Sequence, residues 1–258
     1  MMIKGKDVLV FLSIKYQGDW NSIYQAIKNK ELVDETQVQE SIAKIESKIV
    51  TIIDEDYPES LKKIYKPPFV VYYKGDLSLL NKNNVGIIGT PNFSHETSKR
   101  LNTLLRETKL KYPGIMYATI NNSSYEEYIH STYGKESILV LDREVRPYDK
   151  EQLVISEYPE GSPGNNEHRP WAMRILAGVT NAMLIPEVKR KEDALIGAGY
   201  ALYLNKSIGV FSQPKDKEDA THQLEEDGAK IILNAANVFE LTQLLAYKKE
   251  DSVPKEMQ

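Results

Sequence analysis

The chain has 258 residues, of which 41% are hydrophobic and 27% charged, and its 33 Lys+Arg against 37 Asp+Glu give a formal net charge of −4. That composition supports a buried core and counts against a wholesale polyanion binder, so any nucleic-acid role has to come from a local basic patch. With no Cys in the chain, disulfide frameworks, Cys-ligated zinc, iron–sulfur clusters and thiol nucleophiles are excluded.

Residues 1–48 read as helical. Val8, Leu9, Phe11 and Leu12 recur at helical spacing, followed after Gly18-Asp19 by Ile23 and Ile27. A third pattern, Glu35 to Lys48, carries Val38, Ile42 and Ile45. These helices are too short for a large core of their own. They predict a small helical N-terminal domain over 1–48, a main domain over 49–247 and a charged flexible tail over 248–258.

From Val50 onward strands and helices alternate. Val50 to Ile53 and Phe69 to Tyr73 read as strands, the second stopped by Gly75-Asp76. Val85 to Ile88 is a buried strand running into Gly89-Thr90-Pro91, and Ser94 to Lys111 is a helix with Leu101, Leu104 and Leu105 on one face. Further strands are predicted at Gly114 to Ile120, Ser137 to Leu141, Gln152 to Ser156, Asn181 to Pro186, Ser207 to Phe211 and Lys230 to Leu233. Helices are predicted at Tyr125 to Thr132, Pro170 to Ala177, Glu192 to Leu204, Ala220 to Asp227 and Val238 to Tyr247. Alternation of this kind implies right-handed crossovers and parallel pairing. The fold class is therefore α/β, a Rossmann-like, mostly parallel open sheet with Gly89 at the carboxyl end of a central strand. The longest apolar runs, Val8 to Leu12 and Val85 to Ile88, are far too short to span a membrane, and the first residues lack a signal-peptide layout. A soluble cytoplasmic protein is expected.

Gly86-Ile87-Ile88-Gly89-Thr90 is the best candidate for an anion-binding turn, because a strand-to-helix turn exposes backbone N–H groups at a helix start. It matches neither GxGxxG nor GxxxxGK[ST], and a plain tight turn is the competing reading. Lys189-Arg190-Lys191 follows a predicted strand end, where open α/β sheets bind ligands, although such runs are more commonly solvated loops. Arg143, Arg146, His168, Arg169 and Arg174 also lie near predicted strand ends. Trp171 beside Arg169 raises base stacking, against the commoner fate of Tyr and Trp in cores and interfaces. His95, His130, His168 and His222 form no metal pair, no GxSxG surrounds Ser123 or Ser124, and Glu126-Glu127 point in different directions. No acid/base set is evident, so neither catalysis nor a metal nor a cofactor is expected.

The order of segments resembles the DNA processing protein A (DprA/Smf) family. Asp56-Tyr57-Pro58-Glu59-Ser60-Leu61, Pro67-Pro68 and Tyr72-Tyr73-Lys74-Gly75-Asp76 look like its entry segment. Ser156-Glu157-Tyr158-Pro159, then Pro170 with Arg174-Ile175-Leu176-Ala177-Gly178, then Glu187-Val188-Lys189 and Gly228-Ala229-Lys230 look like its later motifs. The resemblance implies an extended Rossmann fold, single-stranded DNA binding in a basic pocket, a homodimer, loading of the RecA recombinase during natural transformation, and no catalysis. It assigns phosphate contacts to Gly89, Thr90, Arg174, Gly178 and Lys189, with Arg190 and Lys191 as weaker candidates. The sequence departs from the family at Pro91, where the family has Arg, at Ala172 and Met173 in its Arg-Asn-Arg run, and at Glu192-Asp193-Ala194 in place of Ser-Gly-Ser. Each lost cation removes salt-dependent affinity, and each new carboxylate opposes a phosphate. Two other readings stay open: a Rossmann nucleotide sensor, and a degenerate member keeping only protein–protein contacts.

Overall fold

Three helices come first, α1 (Gly5–Lys15), α2 (Trp20–Lys28) and α3 (Glu35–Ile42). Each starts where the sequence supplies an acceptor for a free backbone N–H. Asp7 accepts from the Lys4 N–H, Asp19 from that of Ser22 at 2.7 Å, and Asp34 from that of Gln37 at 3.0 Å. The computed structural model describes residues 4–121, 123–145, 151–212 and 219–250, the last helix from 244 by its backbone alone. The tail expected from 248 thus lies, from 251 on, outside the described residues.

The alternation then follows as β1 (Lys48–Thr51), α4 (Glu59–Lys62), β2 (Val70–Lys74), β3 (Asn83–Ile87), α5 (His95–Lys111), β4 (Ile115–Ile120) and α6 (Ser124–Tyr133). After β5 (Ser137–Val140) and β6 (Leu153–Ser156) come α7 (His168–Val179), β7 (Ala182–Ile185), α8 (Ala194–Tyr203), β8 (Ser207–Val210), α9 (Thr221–Glu226), β9 (Lys230–Ile231) and α10 (Ala235–Glu250). Among the described residues they form one nine-stranded open sheet, ordered β1-β2-β6-β5-β4-β3-β7-β8-β9. β2 runs antiparallel to both its neighbours, and every other pairing is parallel.

Side-chain alternation along the strands decides the layers. Ala118, Ile120, Ile138, Val140 and Ile155 face one side, where Ala172, Ile175 and Leu176 of α7 and Ala198 and Ala201 of α8 cover them. Tyr117 and Ile115 face the other side, against Leu101, Leu104 and Leu105 of α5 and Val238 of α10. On that second side Leu139 and Val154 meet Val10 of α1 together with Val70 and Tyr72. The first helices therefore share a core with the sheet, and the buried Tyr72 hydroxyl donates to Ser13 at 3.0 Å.

Two boundaries fall short of their sequence patterns for local reasons. The third helix ends at Ile42, because Glu160 captures the Glu46 and Ser47 N–H groups and feeds the chain extended into β1. β1 stops at Thr51, whose N–H and hydroxyl both donate to Asp54. No helix among the described residues is long and apolar enough to cross a membrane.

Gly75, at the end of β2, has φ +102°, and a Cβ there would lie 2.7 Å from the Gln152 carbonyl oxygen and 3.0 Å from Leu153 Cα. Gly75→Ala combines left-handed strain with a backbone clash and is expected to lower stability by about 2 kcal/mol. Urea unfolding checks this as a lower midpoint at unchanged slope.

Candidate functional site

β3 is an interior strand of the sheet, with β4 on one side and β7 on the other. The chain leaves β3 toward β4 and returns to β7, so the loops after β3 and β7 diverge. A crevice at such a switch point is where open α/β sheets place their ligands. Gly89 and Thr90 lie on one lip and Lys189, Arg190 and Lys191 on the other, so five of the residues singled out from sequence do meet here.

The crevice is closed by the chain's own carboxylates. The Thr90 hydroxyl donates to Glu192 Oε1 at 2.8 Å, and the Lys189 N–H donates to Glu192 Oε2 at 2.8 Å. Glu187 spans the same gap: its carbonyl accepts from the Thr90 N–H at 2.9 Å and its Oε2 from the Ser94 N–H at 3.0 Å. Gly89 is required by this closure, since a Cβ would sit 2.5 Å from the Glu187 carbonyl oxygen. The donors that make a strand-to-helix turn attractive to phosphate are therefore already spent, on two carboxylates and on the Glu187 backbone carbonyl. At about 4 Å and an effective dielectric near 20, a carboxylate repels a phosphate charge by on the order of 4 kcal/mol. Beneath the closure, burial pushes the Tyr125 phenol up to about 12, with Arg169 pulling it down.

Arg174 is elsewhere, and its expected phosphate contact is corrected by its burial. The side chain is 0% exposed, and Nη2 donates to Glu157 Oε2 at 2.7 Å. Nε and Nη1 find no hydrogen-bond acceptor among the described residues; the guanidinium instead lies 4.8 Å from the Trp171 ring centroid. Burial pushes the Glu157 carboxyl up, against the pull of Arg174 and His168. Gly178 is likewise interior: a Cβ there would meet Ile64 Cγ2 at 2.6 Å and Leu61 Cδ2 at 3.1 Å, so it serves the contact of α7 with α4 rather than a phosphate.

The three cations of the β7–α8 loop are exposed, and none of their side chains makes an ion pair among the described residues. Lys189 is held by a backbone bridge to Asp219, and Lys191 has φ +68°. The other cations near strand ends are tied down. Arg143 Nε donates to Asp142 at 2.9 Å, Arg169 Nη1 to the Asn121 carbonyl at 3.1 Å, and His168 Nδ1 lies 3.1 Å from the Asp142 carbonyl. Arg146 lies outside the described residues. Glu187 was read from sequence only as a motif position. No local pattern marks it as a partner of Ser94, 93 residues away.

The sequence matches the family described as DNA recombination-mediator protein A over residues 48–116 and 140–243. The DNA processing protein DprA of Streptococcus pneumoniae is 25% identical over 225 residues, 80% of this chain and 78% of that protein. That of Bacillus subtilis is 28% identical over 213 residues, covering 74% of this chain and 70% of that one. The fold agrees with the X-ray structure of the Streptococcus pneumoniae protein, with TM-score 0.70 at 18% identity over 93% of this chain and 98% of that one. It also agrees with the Helicobacter pylori DNA processing protein A, studied for its single-stranded DNA binding mode, with TM-score 0.66 at 20% identity over 81% and 98%.

Two outcomes are expected. Arg174→Met should cost about 3–5 kcal/mol by stranding a buried Glu157, and adding Glu157→Gln should recover part of it, which a double-mutant cycle in urea measures. Glu192→Ser should give measurable affinity for inorganic pyrophosphate by calorimetry, and the unmodified chain should give none.

Proposed function

Because the chain belongs to the DNA recombination-mediator protein A family, we propose that it is a non-catalytic cytoplasmic protein that binds single-stranded DNA. Its context on this reading is DNA uptake in natural transformation, where it acts as a homodimer and loads RecA onto the strand. The observation that carries the DNA-binding part is the exposed run Lys189-Arg190-Lys191 on the lip of the switch-point crevice, free of ion pairs among the described residues. Three unpaired cations on one short loop can neutralise successive phosphates and release their counterions. The Helicobacter pylori relative is known for a single-stranded DNA binding mode, which supports the ligand class.

The closed crevice sets the manner of binding. With Glu187 and Glu192 inside, the strand rests on the rim and its phosphates do not enter. Affinity is then modest and dominated by salt. The same closure favours a second reading, that the chain keeps only protein–protein contacts. It removes the basis for a nucleotide sensor, whose phosphates would need the same space.

Fluorescence anisotropy with labelled oligo-dT across a salt series separates these readings. Binding is expected at micromolar or weaker affinity at moderate salt. Replacing Lys189, Arg190 and Lys191 together by Ala should flatten the log–log salt slope by about 2, at roughly 0.7 per single-strand phosphate contact. An absence of binding at low salt would leave the protein-contact reading standing alone.

A further inference from the structure

Both tryptophans of the chain lie in one surface cluster, remote in sequence and joined by a single lysine. Lys66 Nζ lies 5.0 Å from the ring centroid of Trp20, 5.3 Å from that of Tyr65 and 5.4 Å from that of Trp171. Its ammonium also donates to Asn21 Oδ1 at 2.6 Å. The Lys66 backbone is held at φ +49°, a conformation that L side chains rarely adopt. Strain of this kind persists only where the surroundings fix it, and here it aims a cation over three rings.

The rings are ordered as a ladder. Trp20 stacks on Tyr24 at 5.1 Å with planes 11° apart, and on Phe69 at 5.2 Å with planes 23° apart. The Trp20 ring is fixed by its Nε1–H, which donates to the Pro67 carbonyl at 2.8 Å. Tyr24, at one end of the ladder, is 43% exposed, and Tyr65 is 49% exposed. Neither phenol makes a hydrogen bond among the described residues. Large rings left this open, on a well-fixed base and next to an ammonium, have no evident role in the protein's own core.

We propose that this cluster is a base-stacking platform for single-stranded DNA, with Tyr24 and Tyr65 taking base faces and Lys66 a flanking phosphate; the proposal rests on the DNA-binding reading above. Every base has a π-face, so stacked rings bind single strands without regard to sequence. Charge favours a nucleic acid over a protein partner. Lys66 and the exposed Lys63 lie on one turn, and of the carboxylates nearest it in the chain Asp19 caps the start of α2 and Glu59 pairs with Lys62. The first turn of α7 runs from the carboxyl end of β4, the neighbour of β3, where Arg169 reaches the Asn121 carbonyl, to the cluster, where Trp171 reaches Lys66. A strand held at the rim by cations thus has stacking surfaces within the same stretch of protein.

Trp20 and Trp171 supply the probe. The full chain is titrated with labelled oligo-dT while anisotropy and tryptophan emission are recorded together. The two signals are expected to saturate at the same concentration, with emission quenched by stacked thymines. Tyr24→Ala combined with Tyr65→Ala should weaken binding roughly tenfold. The salt slope should not change, because stacking releases no counterions. The melting temperature should fall only by the few degrees that losing one stacked pair costs, with the fold retained at the assay temperature. Anisotropy that reports binding while emission stays flat overturns the platform and leaves the DNA-binding reading intact. So does a double variant that binds as the unmodified chain does. A double variant whose sedimentation changes while its DNA affinity does not makes the cluster a protein interface, and the proposal falls. No anisotropy change at low salt sinks the DNA-binding reading first and the platform with it.

Discussion

A guanidinium with no exposed surface is the constraint around which this half of the molecule is arranged. Removing Arg174 and Glu157 from water costs several kcal/mol per ion, which their mutual attraction offsets only in good geometry. The 2.7 Å contact therefore demands that the carboxyl end of β6 and the middle of α7 hold one fixed separation. Other contacts fix α7 from its remaining sides. Gly178 lets α4 approach closely through Leu61 and Ile64, and the Trp171 ring covers the guanidinium. Lys206 places its ammonium on the carbonyls of Ala177, Gly178 and Thr180, a favourable cation at the helix C-terminus. With α7 fixed, its first turn is fixed too, and that turn joins the carboxyl end of β4 to the aromatic cluster.

The crevice itself shows how a fold can be kept while its usual ligand position is filled from within. A strand-to-helix turn presents donors that need an anion or water. Here two glutamates supply the anion. Three hydrogen bonds, from the Thr90 hydroxyl to Glu192, from the Thr90 N–H to the Glu187 backbone carbonyl and from the Ser94 N–H to the Glu187 carboxylate, also bridge the β3 side to the β7 side beyond the last ladder pair, while the Lys189 N–H holds Glu192 from within its own loop. Among the described residues the carboxylates are satisfied by N–H and O–H groups and not by cations. Lys189, Arg190 and Lys191 consequently keep their charge for solvent or for a ligand outside the crevice.

The sheet, its parallel core and the position of Gly89 could be read from the chain because they rest on local signals: apolar runs, turn residues and helical spacing between them. The crevice location followed from the same signals. The role of Arg174 did not. On sequence it is a cation ahead of an apolar helix, and its burial depends on Glu157, 17 positions away in another element. Glu192 was legible as an opposing charge but not as a partner of Thr90, 102 positions away. Of the Lys66 cluster only Trp171, beside Arg169, suggested stacking in the sequence, and its gathering with the other rings was hidden for the same reason. Its rings come from α2, from the segment before β2 and from α7, and neither Trp20 nor Trp171 stands in any periodic pattern that marks a stacked surface.

Division of labour between charge and stacking follows from the net charge. A chain at −4 gains little from long-range attraction to a polyanion, and a crevice holding two carboxylates adds local repulsion. Rim cations alone would give binding that fades steeply with salt. Ring faces act at contact distance and are indifferent to ionic strength, so they sustain affinity where charge cannot. They also tolerate any base, which suits the proposed binding of strands of arbitrary sequence. On this account Glu192 and the Lys66 cluster belong to one solution. In the proposed binding mode the carboxylate keeps phosphates out of the fold, and the rings hold the strand by its bases on the surface.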